Sequence, residues 1–286
     1  MALTFEEFRN SEKSRKPHFL VIGHPISHSL SPVMHNRSIR HYGLDAEYLA
    51  VNLFPSELSS FITWCYRDEF KGCNITIPYK EMLLEMLDEI DASVKQIGAI
   101  NTILKKNNRL IGYNTDQYGF TEPLMPFLNK IDTGRAIIFG TGGASKAVKA
   151  ALEEIGFEEL VFVSRRADKE IESESSEIFV IDYSQWQAFA PETNLFINTT
   201  PLGMYPELNN SPVAGTDIHL LSESLCYDLI YNPQKTLFLS DAETQGAKII
   251  NGLEMLIYQG SKSFELWTGQ PFPIDKVKAE LNRHIQ

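Results

Sequence analysis

The 286-residue sequence lacks the features that mark secreted, membrane-spanning and nucleic-acid-binding proteins. It has no long apolar run, and the N-terminal stretch MALTFEEFRNSEKSRKP is charged throughout, so the sequence predicts neither a signal peptide nor a membrane span. It has little positive charge: the net charge of −11 argues against a general affinity for nucleic acid or anionic membranes. The sequence therefore predicts a cytoplasmic enzyme or binding protein, and local positive groups leave room for a small anionic ligand.

Cysteine is also scarce. Cys65, Cys73 and Cys226 have no metal-type spacing, which indicates reduced and packed thiols. The composition is otherwise ordinary for a globular protein, with 43% hydrophobic and 22% charged residues. The length permits two domains, and no internal repeat divides the chain further.

Two series of alternating strands and helices follow each other along the chain. From residue 19 to about 115, apolar runs such as FLVIG, AEYLAVNL, CNITIP and NTILKK alternate with the helical period of YKEMLLEMLDEI. A second series contains RAIIFG, SKAVKAALEEIG, LVFVSRR, NLFINTT and SLCYDLIY, and the helical tail after residue 252 can pack against the first series. This order predicts an α/β fold with two α/β domains, one formed by 1–115 with 252–286 and the other by 116–251.

In the second series, a buried strand runs directly into a glycine-rich turn and then into a helix. The turn consists of Gly140, Thr141, Gly142, Gly143 and Ala144. Glycines permit a tight turn and a close approach of pyrophosphate to the helix N-terminus. In the dinucleotide-binding motif G-x-G-x-x-G/A, the last position is occupied here by Ser145, which is also small. The pattern predicts a dinucleotide-binding turn, with a plain tight turn as the alternative.

The end of the next strand indicates which dinucleotide binds. The candidate residues there are Ser164, Arg165, Arg166 and Lys169. An NAD site usually has an acidic residue at this position for the ribose 2′-hydroxyl, whereas a guanidinium suits a 2′-phosphate. The sequence therefore favours NADP. The alternative is that Arg165 and Arg166 only form a solvated strand end and bind no cofactor.

Polar residues interrupt the apolar runs of the first series. The segment CNITIPYKE contains Asn74, Thr76 and Lys80, and the segments IGAINT and YNTD contain Asn101 and Asp116. This mixture of one Lys, one Asp and neutral hydrogen-bonding groups suits a polyhydroxylated ligand with one carboxylate. Each residue also has an ordinary explanation, because Asp commonly caps a helix and Lys is commonly exposed.

Taken in order, these segments resemble the shikimate dehydrogenase family, including its quinate/shikimate branch. The resemblance covers residues 21–281 through GHPISHSLSP, NITIPYKE, GAINT, YNTD, GTGGAS, SRR, NTTPLGM, YDLIYNP and GLEMLIYQG. It implies NADPH-dependent, reversible reduction of 3-dehydroshikimate to shikimate, in the route to chorismate and the aromatic amino acids. It also implies an N-terminal substrate-binding domain and a Rossmann-like NADP-binding domain separated by a cleft. The sequence leaves both a monomer and a homodimer open.

The resemblance assigns roles to individual residues. Lys80 and Asp116 match the family's catalytic pair, and the hydroxyls of Ser29 and Ser31 match the groups that hold the substrate carboxylate. The residues that match contacts to the ring hydroxyls are Asn74, Thr76, Asn101, Asp116 and Gln259. Tyr231 matches a substrate-side tyrosine, and Leu229 and Gly252 match positions that line the nicotinamide.

Two features leave the exact substrate open. The family usually has Gly after the NTD motif, where this chain has Gln117 beside Asp116. Quinate users tend to have Thr at one of the two carboxylate-binding serines, and this chain has Ser at both, whereas the segment LWTGQPFP looks closer to the dual-specificity branch.

Two other classes of protein are also conceivable. His24, His28 and His35 could form a metal site, but Pro25 and Pro32 argue against a continuous helix there. A non-catalytic NADP-binding homologue is the second alternative, and the intact Lys80 and Asp116 argue against it.

Overall fold

The computed structural model describes residues 2–166 and 170–284, and strands alternate with helices along most of this length. The strands are β1 (Leu3–Thr4), β2 (His18–Gly23), β3 (Glu47–Asn52), β4 (Phe70–Ile75), β5 (Glu89–Ile90), β6 (Thr102–Lys106), β7 (Arg109–Tyr113), β8 (Arg135–Phe139), β9 (Glu159–Val163), β10 (Glu177–Ile181), β11 (Leu195–Asn198), β12 (Leu225–Asp228) and β13 (Lys248–Ile250). The α-helices are α1 (Phe5–Asn10), α2 (Ser31–Tyr42), α3 (Leu58–Trp64), α4 (Ala92–Ile97), α5 (Asp116–Leu124), α6 (Gly143–Ile155), α7 (Leu237–Thr244), α8 (Gly252–Thr268) and α9 (Ile274–Leu281).

These elements form two compact units. One runs to Asp116 and resumes over Ile257–His284, and the other is Gln117–Leu256. The predicted α/β class is confirmed, since each unit is built on a largely parallel sheet. The assignment of residues 1–115 with 252–286 to substrate and of 116–251 to NADP concerns function and stays a prediction.

The first unit contains a seven-stranded sheet in the order β1-β3-β2-β4-β6-β7-β5. Strands β1, β3, β2 and β4 are parallel, whereas β6 is antiparallel to both β4 and β7. As a result β2, β4 and β7 all end at the same edge of the sheet. The segments that follow these strands contain the polar residues singled out above, which explains how positions far apart in sequence meet.

Local sequence explains the elements next to that edge. Every residue of β2 is buried, as expected for a parallel strand that is covered on both faces. Helix α2 begins at Ser31 with Pro32 in its first turn, where the missing N–H costs nothing. It ends at Gly43, whose φ of 61° provides the left-handed cap.

The second unit has a six-stranded sheet in the order β10-β9-β8-β11-β12-β13, and all its strands are parallel. Numbered from β8, this is the strand order 3-2-1-4-5-6 of the Rossmann fold. The order reverses between β8 and β11, and ligands of such sheets bind at the carboxyl ends of the strands beside this switch point.

One prediction about the first unit is wrong. The helical period of YKEMLLEMLDEI predicts a helix, but the segment forms successive turns with bonds such as Leu84 N–H to Glu81 O at 3.3 Å and Met86 N–H to Leu83 O at 3.1 Å. The carbonyl of Lys80 accepts a bond from the Ile100 N–H at 2.7 Å, so it is already used by a neighbouring segment instead of by the N–H four residues ahead. The apolar pattern does identify a buried side chain, since Leu83 lies in the core.

The three cysteines are unpaired and buried, as the sequence predicts. Cys65, Cys73 and Cys226 are free thiols inside the protein, and burial raises the pKa of each. Across residues 2–166 and 170–284, the helices are too short or too polar to span a bilayer.

A buried carboxylate anchors the end of β12. The Asp228 side chain is inaccessible to solvent, and its Oδ1 accepts bonds from Asn198 Nδ2 at 3.1 Å and from the Ile230 N–H at 3.0 Å. Its Oδ2 accepts a bond from Thr236 Oγ1 at 2.6 Å. Burial nevertheless dominates and raises the pKa of Asp228 to about 6.

This raised pKa predicts how stability depends on pH. The folded protein holds the Asp228 proton more tightly than the unfolded chain, so the stabilisation is complete below the ordinary pKa of 3.8 and is lost as pH rises through about 6. We expect the free energy of unfolding of the wild type, relative to Asp228→Asn, to fall by on the order of 2 kcal/mol between pH 4 and pH 7. Denaturant titrations at several pH values would measure it, and parallel profiles for the two proteins would contradict it.

Candidate functional site

At the edge where β4 and β7 end, Lys80 and Asp116 form an ion pair. Lys80 lies in the turns after β4, and its Nζ donates a hydrogen bond to Oδ2 of Asp116, the first residue of α5. The two side chains are 15% and 7% exposed, so the pair is largely shielded from water. An ammonium held in this way can donate a proton to a bound oxyanion while the carboxylate keeps the cation in place.

Asn101 holds the other oxygen of this carboxylate. Its Nδ2 donates to Oδ1 of Asp116 at 2.8 Å, and its own Oδ1 accepts from the Thr115 N–H at 2.8 Å. The backbone N–H of Asp116 donates to Asn114 Oδ1 at 2.9 Å. Asn101 immediately precedes β6 and Asp116 follows β7, so the antiparallel pairing of these two strands positions the amide against the carboxylate.

Helix α8 completes the cluster with two residues one turn apart. Gln259 Oε1 lies 3.4 Å from the donor Asn101 Nδ2, and Ser263 Oγ accepts a bond from Asn74 Nδ2 at 2.9 Å. Residues four apart lie on the same helix face, which is why both side chains reach the site. A bond of 3.0 Å from Thr102 Oγ1 to Asn101 Oδ1 joins the two halves of this network.

The remaining predicted substrate residues of this unit lie at the ends of β2 and β4. The Ser31 N–H is 3.3 Å from Ser29 Oγ, so the two serines share one turn at the start of α2. Thr76 directly follows β4, and its N–H donates to Ile22 O at 3.0 Å. Its Cγ2 packs so closely on Gly23 that a Cβ there would be 2.5 Å away, which explains the glycine at the end of β2.

The site contains residues that the sequence reasoning missed. They are Tyr48, Thr102, Thr115 and Ser263, all buried. Ser263 was detectable in principle, because it follows Gln259 by one helical turn, and Thr102 and Thr115 stand beside residues that were identified. Tyr48 lies in β3 among apolar residues, where a tyrosine is ordinarily a core residue, so the sequence carries no signal for it.

In the second unit, the glycine-rich turn lies at the switch point of the sheet. Gly140 has a φ of 107°, and a Cβ there would lie 2.6 Å from Thr199 Oγ1 at the end of β11. Gly142 is the N-cap of α6, and a Cβ there would meet no atom within 4 Å, so the turn is open in front of the helix. Ser145 is buried, and its Oγ donates to Gly142 O at 2.7 Å, so it closes the turn in place of the third glycine.

The cationic residues lie at the end of β9, next to this turn. Ser164 Oγ accepts from the Arg166 N–H at 3.1 Å and is 3.3 Å from Thr141 Oγ1. Arg165 and Arg166 are exposed. Burial raises the pKa of the Tyr183 phenol, and the positive charge of Arg165 opposes this rise. Lys169, the fourth candidate here, lies outside the described residues.

Leu229 and Gly252 are in close contact within this unit. A Cβ at Gly252 would lie 2.0 Å from Leu229 O, and the Gly252 N–H donates to Ile230 O at 3.0 Å. Only glycine permits this approach between the start of α8 and the segment after β12. Tyr231 follows two residues after Leu229 and is partly exposed. It therefore belongs to the second unit, whereas the other predicted substrate residues belong to the first.

The histidines of residues 23–36 have separate surroundings. His24 Nδ1 lies 3.1 Å from Asn52 Oδ1, and His28 precedes α2. His35 is fully buried inside α2, where burial lowers its pKa to about 3. Among residues 2–166 and 170–284, no group of three potential ligands is placed to hold a metal ion.

Gln117, the departure from the family pattern, bonds to a helix of its own unit. Its Nε2 donates to Glu154 Oε2 on α6 at 2.6 Å. The side chain is thus held by a neighbouring carboxylate.

A Rossmann-type sheet with an open glycine turn and a second α/β unit with a lysine–aspartate pair among neutral polar groups are typical of nucleotide-dependent oxidoreductases. Residues 21–103 match the family model for the shikimate dehydrogenase substrate binding domain, and residues 252–281 match that for the shikimate 5′-dehydrogenase C-terminal domain. A curated relative from Nostoc sp., named shikimate dehydrogenase (NADP(+)), is 38% identical over 93% of this chain and 96% of its own length.

Solved structures agree. The shikimate 5-dehydrogenase of Thermus thermophilus, in complex with NADP(H) and shikimate, matches with a TM-score of 0.81 and 32% identity over 93% of this chain and 99% of its own. The ligand-free 5-ketofructose reductase of a Gluconobacter species matches with a TM-score of 0.80 and 27% identity over 94% and 99%. The chain belongs to the shikimate dehydrogenase family.

Proposed function

We propose that this protein catalyses the reversible, NADPH-dependent reduction of 3-dehydroshikimate to shikimate, a step towards chorismate and the aromatic amino acids. The observation that carries the proposal is the Lys80–Asp116 pair, held by Asn101 within a cluster of neutral hydrogen-bonding groups. This arrangement supplies one proton donor and several partners for hydroxyl groups. Such a donor set suits a ring that carries several hydroxyls and one reacting carbonyl.

Lys80 acts as the proton donor in the direction of reduction. NADP, when bound, exchanges a hydride with the carbon that bears the reacting oxygen. Lys80 Nζ gives a proton to that oxygen as the carbonyl becomes an alcohol, and it takes the proton back in oxidation. Asp116 orients the ammonium and accepts a bond from a substrate hydroxyl, while Asn101 prevents the carboxylate from rotating.

Recognition of the remaining substrate groups is divided among the other residues. The hydroxyls of Ser29 and Ser31 hold the carboxylate, since they share one turn at the start of α2 and N–H groups at a helix N-terminus favour an anion. Asn74, Thr76, Asn101 and Gln259 bind ring hydroxyls. Tyr231 is proposed as a further substrate contact.

The second unit fits NADP. The open turn formed by residues 140–144 leaves the N-terminus of α6 accessible, where its N–H groups would hold a pyrophosphate, and Gly252 and Leu229 would line the nicotinamide. Ser164, Arg165 and Arg166 bind the 2′-phosphate, with the guanidinium groups exposed for that contact. Lys169 is proposed as a further cation at this position.

Dual use of quinate is the second candidate function, favoured by the segment of residues 266–273. Two aromatic residues of this segment, Trp267 and Phe272, pack on His35 with ring centroids 5.4 and 5.8 Å apart. Neither is a predicted substrate-binding residue. The paired serines touch the carboxylate itself and favour shikimate.

The first prediction concerns Lys80. Lys80→Ala should lower kcat for shikimate oxidation by at least ~100-fold with little change in KM, because it removes the proton donor and no major binding contact. Lys16→Ala, which changes an exposed lysine, is the matched control. Steady-state rates of NADPH formation give both constants, and an unchanged kcat in folded Lys80→Ala would exclude Lys80 from the mechanism.

The cofactor preference is tested at Arg165. Arg165→Ala should weaken NADP binding by roughly 1.5 to 3 kcal/mol, through loss of a charge-assisted contact, and leave NAD binding nearly unchanged. Calorimetric titration of both dinucleotides at one salt concentration measures the difference. Arg67→Ala, which changes an exposed arginine of the first unit, is the control. Equal losses for NADP and NAD would show that Arg165 does not read the 2′-phosphate.

The substrate is tested by comparing shikimate with quinate and 5-ketofructose. We expect kcat/KM with NADP to favour shikimate over quinate by at least about tenfold, equivalent to 1.4 kcal/mol, because quinate adds a hydroxyl at a tetrahedral carbon beside the carboxylate. With NADPH, 5-ketofructose should react poorly, since it offers no carboxylate to Ser29 and Ser31. Comparable rates on quinate would favour the dual-specificity alternative, and no activity on shikimate would overturn the proposed function.

A further inference from the structure

Tyr48 is a buried tyrosine that contacts Asn74, one of the proposed substrate-binding residues. It is 1% exposed, and its Oη donates to Asn74 Oδ1 at 2.7 Å. Burial raises the pKa of this phenol well above its usual value, so the group is a neutral O–H donor at physiological pH. A hydrogen bond with the side chain of Ser31, a proposed carboxylate-binding residue, opposes this rise in the pKa of Tyr48.

Helix α2 holds Tyr48 at two points. Asn36 clamps its backbone, with Nδ2 donating to Tyr48 O at 2.8 Å and Oδ1 accepting from the Tyr48 N–H at 2.9 Å. The His35 ring stacks on the Tyr48 ring with centroids 4.3 Å apart and planes 13° from parallel. His35 is neutral here because its pKa is about 3, so it stacks as a flat aromatic surface without introducing a charge.

The nitrogen of the Asn74 side-chain amide donates hydrogen bonds to three oxygen atoms. Nδ2 donates to Ser263 Oγ at 2.9 Å, to Thr102 Oγ1 at 3.0 Å and to Asn101 O at 3.3 Å. The carbonyl of Asn101 cannot donate a hydrogen bond, and Thr102 gives its own proton to Asn101 Oδ1. A reversed amide would therefore place its oxygen against a carbonyl oxygen.

These contacts use both hydrogens of Asn74 Nδ2 and one of the two lone pairs of Oδ1, and an interaction of this side chain with His35 partly opposes the fall in the His35 pKa. The geometry points to Tyr48 as a positioning residue that locks the Asn74 side chain as a hydrogen-bond acceptor for one substrate hydroxyl. Ser263 secures the opposite end of the same amide. The inference rests on the proposed function, and it specifies the polarity of one contact: the substrate must donate to Asn74.

Tyr48→Phe is the direct test, because it removes the hydroxyl and keeps the ring that stacks on His35. We expect KM for shikimate to rise about tenfold, kcat to change less than about threefold and KM for NADP to stay the same. Tyr66→Phe is the matched control, since it removes a phenol that donates to Asp88 on the exposed surface. An unchanged KM in folded Tyr48→Phe would overturn the inference while leaving the proposed function intact.

Shikimate analogues that each lack one hydroxyl separate positioning from general loosening of the site. Tyr48→Phe should lose little further affinity for the analogue that lacks the hydroxyl bound by Asn74, and should still lose about tenfold for the others. An equal loss for every analogue would indicate a merely structural role and overturn the inference.

Ser263→Ala provides the same test from the other end of the amide, should Tyr48→Phe fail to fold. It should raise KM for shikimate by less than Tyr48→Phe does, because Thr102 and Asn101 remain as acceptors, and it should spare the same analogue; an unaltered KM would again overturn the inference. If the wild-type protein oxidises no shikimate with NADP, the proposed function fails and this inference fails with it.

Discussion

The site depends on one shielded carboxylate that is held from two sides. Asp116 takes a cation on one oxygen and an amide on the other, and it starts the first helix after β7. Burying a charge is costly unless it is paired and hydrogen-bonded, so the surrounding chain must provide partners. Asn101 meets this requirement and is itself held by Thr115 and Thr102. The hydrogen bonds around Asp116 and Asn101 can be understood as the set of contacts that holds this carboxylate in place.

In the second unit, the features of the candidate site come from backbone geometry at glycines and not from a buried charge. At Gly140 and Gly252 a Cβ would collide with neighbouring atoms, whereas at Gly142 it would meet open space in front of α6. Glycine therefore does two different jobs in this unit: it lets segments pack closely, and it leaves room for a ligand at a helix N-terminus. The exposed arginines after β9 add positive charge beside that room, although the chain as a whole is acidic.

The stretch GHPISHSLSPVMHN shows how one segment serves two purposes. Its serines open α2 at the edge of the sheet, where an anion is favoured. Its last two residues, His35 and Asn36, face the interior and hold Tyr48 by stacking and by backbone hydrogen bonds. The density of hydrogen-bonding side chains therefore reflects support of the neighbouring strand as well as the proposed recognition of an anion.

Much of the fold was predictable because its signals are local. The apolar run of β8, the glycine turn and the period of α6 are contiguous in sequence, and together they predict a dinucleotide-binding unit. The helix predicted over YKEMLLEMLDEI failed for a non-local reason, since a hydrogen bond from Ile100 uses a carbonyl that a helix would need. An apolar period reports which side chains are buried, and it does not report where backbone hydrogen bonds go.

The sequence by itself determined the chemistry that is available: Lys80, Asp116, the paired serines, the asparagines and the arginines stand in ordered motifs that resemble one family. Only the tertiary structure decided which atoms of these residues face one another. The orientation of the Asn74 amide depends on Tyr48 from β3, Thr102 from β6 and Ser263 from α8, which are far apart along the chain. Hydrogen bonds are short-ranged and directional, so their pattern exists only after the strands and helices have been brought together.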